Sequence, residues 1–186
     1  MKKNICVFGG SVSGKNIENE KTAKIIGKII AENNFNIIFG GGENGIMGAV
    51  SSSGIQNGAK TTGIIPNFLL RKDLLGPSHS KVFNTKLIMT DTMHQRKKLM
   101  YDNSDGFLVL PGGIGTLDEF FEVLTWCQLN QIKNKKVGIV NLKGYWNPLI
   151  NLIKHIIKEG FMDKKNLHFF EEINNIKALK VFLKNI

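Results

Sequence analysis

The chain has 186 residues, with 25 Lys and Arg against 15 Asp and Glu for a formal net charge of +10, and that length can bury one full core without metals or disulfides. The lysines are spread over most predicted helices without aromatic-basic alternation, which favours a small anionic ligand over nucleic acid. No segment reaches the ~20 apolar residues of a membrane span and the run after Met1 is too short for a signal peptide, while Cys6, Cys127, His79, His94, His155 and His168 lack metal-ligand spacing; these features predict a cytoplasmic, single-domain protein over residues 1–186 with no bound metal and no membrane partner.

The first apolar run, Ile5–Phe8, reads as a buried parallel strand and ends at Gly9-Gly10-Ser11-Val12-Ser13-Gly14. Gly9, Gly14 and Lys15 approach a P-loop, but Asn16 stands where a magnesium-holding Ser or Thr is needed. A helix over Glu18–Asn33 leads to a strand at Ile37–Phe39 and a second glycine turn, Gly40-Gly41-Gly42-Glu43-Asn44-Gly45. That turn contains G-x-G-x-x-G, yet the strand after it, Thr62–Ile65, ends at Pro66 without the acid that holds a ribose 2'-hydroxyl. Between them Ile46–Gln56 has helical character, and Pro66–Ser80 reads as one long loop.

After a strand at Leu87–Met89, Thr92 and Gln95 form a capping-box pattern that predicts a helix over Thr92–Asn103. Arg96, Lys97 and Lys98 would then crowd its first two turns against the helix dipole, a cost that a bound phosphate offsets; a solvent-facing basic cluster is the alternative. The strand Phe107–Leu110 runs into a third turn, Pro111-Gly112-Gly113-Ile114-Gly115-Thr116, whose open backbone can cradle an anion where a helix over Thr116–Asn130 begins. Asp118 and Glu119 would sit in the first turn of that helix, either to complement its dipole or, for Glu119, to do chemistry. Leu117, Phe120, Phe121, Val123, Leu124, Trp126, Cys127 and Leu129 surround the helix with apolar groups, so one side should meet the sheet and the other a second subunit.

A strand at Val137–Val140, a helix at Pro148–Glu159 and an apolar run at Leu167–Phe170 follow, and Ile173, Ile176, Leu179, Phe182 and Leu183 recur at helical spacing. Strands and helices alternate throughout, so the fold class is α/β: a single-domain, Rossmann-like, doubly wound parallel sheet flanked by helices.

The run Pro111–Glu119 resembles the P-G-G-x-G-T-x-x-E motif of the LOG (Lonely Guy) family. The resemblance extends through Met93-His94-Gln95-Arg96-Lys97, Gly40-Gly41-Gly42 with Gly45-Ile46-Met47-Gly48, and Gly144-Tyr145-Trp146-Asn147 to Gly160-Phe161. Gly9 and Phe39 depart from the cysteine and tyrosine common in that pattern, and Leu167–Ile186 matches no motif. The resemblance implies hydrolysis of the N-glycosidic bond of adenosine 5'-monophosphates, N6-substituted ones included, to free base and ribose 5-phosphate by a homodimer without a cofactor. By position it assigns catalysis to Arg96 and Glu119. The residues expected to bind substrate and phosphate are Ser11, Gly41, Gly42, Met93, Arg96, Lys97, Gly112, Gly113, Ile114, Gly115 and Thr116. Two alternatives stand beside the hydrolase: a nucleotide-binding module without turnover, and the lysine decarboxylase of an older name for similar sequences. The decarboxylase needs a Schiff-base lysine for pyridoxal phosphate, and no lysine stands out for that role.

Overall fold

The computed structural model describes residues 2–69, 85–132 and 135–186. The elements in chain order are β1 (Asn4–Phe8), α1 (Glu18–Glu32), β2 (Asn36–Phe39), α2 (Gly45–Gln56), β3 (Thr61–Pro66), β4 (Thr85–Thr90), α3 (Met93–Asp102), β5 (Gly106–Val109), α4 (Ile114–Gln128), β6 (Lys136–Val140), α5 (Asn147–Lys158), β7 (Phe170–Ile173) and α6 (Ile176–Lys184). Short 3-10 turns occupy Asn67–Leu69 and Lys164–Phe169.

The strands form one seven-stranded sheet in the order β4-β3-β2-β1-β5-β6-β7, with every neighbouring pair parallel. The chain winds outward from β1 to β4, returns to β5 beside β1, and winds the other way. The switch point therefore lies between β1 and β5, and a crevice opens there at the carboxyl ends of the strands.

Alternation along the central strands feeds two cores. Ile5 and Val7 of β1 pack with Ile26, Ile30, Leu179 and Phe182 of α1 and α6. Cys6 and Phe8 face the other layer, with Tyr101, Phe120 and Trp146. Each such side chain, fully buried, contributes roughly 1.5–3 kcal/mol, so β1 is held from both faces. Cys6 and Cys127 are buried free thiols. No helix among the described residues is long and apolar enough to cross a membrane.

The structure departs from the sequence reading at four places. Ile173 is fully buried in β7 rather than starting the terminal helix, which begins at Ile176. This seventh strand carries exposed Glu171 and Glu172 between its apolar ends and sits at the sheet edge, so it never presents the continuous apolar run of a central strand. The β4 strand lies at the opposite edge, and Met89 is 41% exposed, so burial on both faces does not hold there. The α4 helix starts at Ile114, two residues before the expected Thr116. Finally, the loop expected from Pro66 begins with an ordered turn at Asn67–Leu69, and its continuation from 70 to 80, with His79, lies outside the described residues.

Candidate active site

The turns after β1, β2 and β5 are bonded to one another at the switch point. The Gly10 N–H donates to Pro111 O at 3.0 Å, and Gly10 O accepts from the Ile46 and Met47 N–H groups at 3.0 and 3.2 Å. Together they rim a cleft of about 420 Å³. Of the residues singled out from the sequence, Ser11, Gly42, Arg96, Gly113, Ile114, Gly115, Thr116 and Glu119 line it, whereas Gly41, Met93, Lys97 and Gly112 do not. Sequence reasoning gave no site role to Asn44, Met47, Ile65 and Leu69, nor to Gly9, Gly10, Val12 and Gly40 of the glycine turns, all of which also line the cleft. Ile65 was within reach, because the carboxyl end of β3 opens on the same side as the glycine turns.

Gly113 is the N-cap of α4 and is extended, with no side chain capping the first turn. The leading N–H groups of a helix have no partner inside it, and they carry the positive end of its dipole. Here that end opens on the cleft, as an anion seat would. Gly112 lets the turn close: a Cβ there would stand 2.1 Å from Thr116 Oγ1 and 2.8 Å from Gly10 N.

Because α4 starts early, Asp118 and Glu119 occupy its second turn, and the first turn holds no acid. Complementing the dipole is therefore not what places Glu119. It is 6% exposed and lies with Oε1 3.7 Å from Nη2 of Arg96, itself 8% exposed. Burial pushes the Glu119 carboxyl up to about 7, and the Arg96 charge opposes that rise without cancelling it. A carboxyl that changes charge near neutrality, at the floor of a cleft, is suited to general acid–base work.

Arg96 is held by backbone rather than by its neighbours in sequence. The Thr92–Gln95 capping box forms as expected and sets the start of α3. From there Arg96 Nε donates to Ile64 O at 3.1 Å and Nη2 to Gly40 O at 3.4 Å, while Nη1 approaches the Met93 sulfur at 3.8 Å, a weak acceptor. Gly40 permits this approach, since a Cβ on it would stand 2.0 Å from Nη2.

The expectation that one phosphate offsets three adjacent cations is corrected by their separate partners. Lys97, 7% exposed, puts Nζ 3.0 Å from Asp118 and 2.5 Å from Glu122. Burial depresses its ammonium, but the hydrogen bonds it donates to Glu122 and Asp118 outweigh that and raise it overall. Lys98 pairs with Asp102 at 2.7 Å on the surface. Of the three, Arg96 alone lines the cleft.

A larger cavity, about 650 Å³, lies beside Cys127, Lys136, His168 and Phe170. It sits at the amino ends of β6 and β7, and among the described residues that line it there is no buried carboxylate–guanidinium pair. Ligands of open α/β sheets collect at the carboxyl ends, so the smaller cleft is the candidate site.

Comparisons with known proteins agree with this placement of the fold. A family described as "Possible lysine decarboxylase" matches residues 47–181. The chain is 37% identical over 177 residues to the Arabidopsis thaliana cytokinin riboside 5'-monophosphate phosphoribohydrolase LOG1, covering 95% of this chain and 80% of that protein. It is 41% identical over 160 residues to LOG3 of the same plant, covering 86% and 72%. Among solved structures, the molybdenum cofactor binding protein of Rippkaea orientalis matches with a TM-score of 0.70 at 19% identity, over 99% of this chain and 96% of that one. TM1055 matches with a TM-score of 0.71 at 18% identity, over 99% of both chains. These two likenesses are of fold. The extent of the family match and the level of identity to its curated members establish that the chain belongs to the LOG family.

Proposed function

We propose that this chain hydrolyses the N-glycosidic bond of adenosine 5'-monophosphates, N6-substituted ones included, to give the free base and ribose 5-phosphate. The observation that carries the reading is the buried Arg96–Glu119 pair at the floor of a cleft rimmed by the α4 N-terminus. The names of the curated relatives, phosphoribohydrolases of cytokinin riboside 5'-monophosphates, support the same substrate class.

Cleaving the bond to the anomeric carbon builds positive charge on the ribose. Ionised Glu119 answers that charge and orients or deprotonates the attacking water, while Arg96 orders the nucleotide and favours departure of the base. The phosphate sits on the backbone of Gly113–Thr116 with the Thr116 hydroxyl, helped by Ser11 and Gly42. Binding energy gained at this remote group positions the anomeric carbon for attack. Among the described residues no lysine lines the cleft to offer the Schiff base that a decarboxylase needs.

The proposal includes a homodimer and a cytoplasmic location. Leu117 and Phe121, one turn apart on α4, stay partly uncovered, which supports a second subunit on that side, and light scattering checks it. The two free thiols are in keeping with a reducing compartment.

The deciding experiment is chromatographic detection of free base after incubation with AMP, an N6-substituted AMP, or adenosine. Release from the monophosphates well above release from adenosine is the expected result. No release from any common nucleotide by folded protein would leave a binding module instead.

A further inference from the structure

The connection from β6 to α5 is built on one buried amide. Asn141, 5% exposed, accepts from the Trp146 N–H at 2.8 Å and donates to Asn147 Oδ1 at 2.8 Å and Glu172 Oε1 at 2.7 Å. Its own N–H donates to Ile173 O at 2.9 Å, so β7 backs the turn through both side chain and backbone. A turn held at this many points delivers Tyr145 to a fixed place. There the Tyr145 hydroxyl donates to Gly112 O at 2.7 Å, and its ring meets that of Trp146 edge-on with centroids 4.7 Å apart.

We infer that Tyr145 is a positioning residue for the anion seat of α4, holding the Gly112–Gly113 peptide in one orientation; the inference rests on reading that seat as the phosphate site. The carbonyl and N–H of a trans peptide point in opposite directions, and the described residues contain no cis bond. With Gly112 O turned to Tyr145, the Gly113 N–H faces away from it, and Gly113 lines the cleft whereas Tyr145 does not. Neither glycine has a side chain to resist rotation of the peptide between them. A flipped peptide would aim a carbonyl oxygen at the bound anion, where the seat requires N–H groups. The tyrosine hydroxyl opposes that flip from outside the cleft. Glu172 and Ile173 thereby give β7, which matched no motif in the sequence, a part in the site.

The test is calorimetric titration of wild-type and Tyr145→Phe protein, each carrying Glu119→Gln so that AMP is bound and not hydrolysed, with AMP, inorganic phosphate and adenosine, alongside thermal melts. Loss of one hydrogen bond should weaken AMP and phosphate by a common factor of about 3–10, with adenosine and the melting temperature unchanged. An unchanged AMP dissociation constant, or equal weakening of AMP and adenosine, would overturn the role of Tyr145. If wild-type protein itself binds AMP no tighter than adenosine, it is the phosphate-seat reading that fails. A wild type that prefers AMP and a variant that keeps the whole preference remove Tyr145 alone.

Discussion

Arg96 Nη2 and Glu119 Oε1 stand 3.7 Å apart beneath the cleft, close enough for charge attraction and too far for a hydrogen bond. The carboxylate thus feels a cation while its lone pairs stay open to water or a sugar. Desolvation wins the contest of the two influences, and the group titrates at about 7.

Replacing Glu119 with Gln should lower base release by roughly 10²–10⁴-fold, the usual reach of a positioned acid or base. The same change has an opposite effect on stability. A carboxyl raised from 4.5 to about 7 binds its proton more tightly in the folded than in the unfolded chain. Its contribution is therefore fully present below the unfolded value and is lost as pH rises through the folded one. Wild-type stability should fall across that window, by on the order of 3 kcal/mol, and the Glu119→Gln profile should be flatter. Urea unfolding between pH 5 and pH 8 measures the slope, and parallel profiles for the two proteins would contradict the burial argument.

Removing the Arg96 charge should raise the Glu119 carboxyl further, because that charge now holds it down. In Arg96→Gln the acidic limb of the pH–rate profile should move up by about one unit or more, with a lower plateau. A limb that stays in place would mean Arg96 does not govern ionisation of Glu119.

Gly40→Ala tests the same pair without touching either member. A Cβ 2.0 Å from Arg96 Nη2 must displace the guanidinium, since the strand it follows is fixed by its neighbours β1 and β3. Base release should fall by at least about tenfold, as small misplacements of catalytic groups do, while the circular dichroism spectrum is kept. Full activity would show that the site adapts to a shifted Arg96.

Much of this was legible in the sequence because central parallel strands are buried on both faces. Ile5–Phe8, Phe107–Leu110 and Val137–Val140 read as unbroken apolar runs for that reason. Edge strand β7 escaped the same rule, having two exposed glutamates among its four residues. The start of α4 escaped as well, because Gly113 and Gly115 carry the weakest helical preference of ordinary residues, and the dipeptide Pro111-Gly112 reads as a turn.

The sequence by itself determined the alternation of strands and helices and the three glycine turns, since each is a matter of local residue type and spacing, while the candidate acid was singled out by the family resemblance. The family resemblance named Arg96 beside that acid, but residue type and spacing did not, and it is the tertiary structure that brings this cation rather than Lys97 against it. Arg96 and Lys97 are adjacent in the chain, yet a helix turns them about 100° apart. One guanidinium is carried toward Gly40 and Glu119 and one ammonium toward Asp118 and Glu122. That choice depends on how α3 packs between β3 and α4, and no local pattern encodes it.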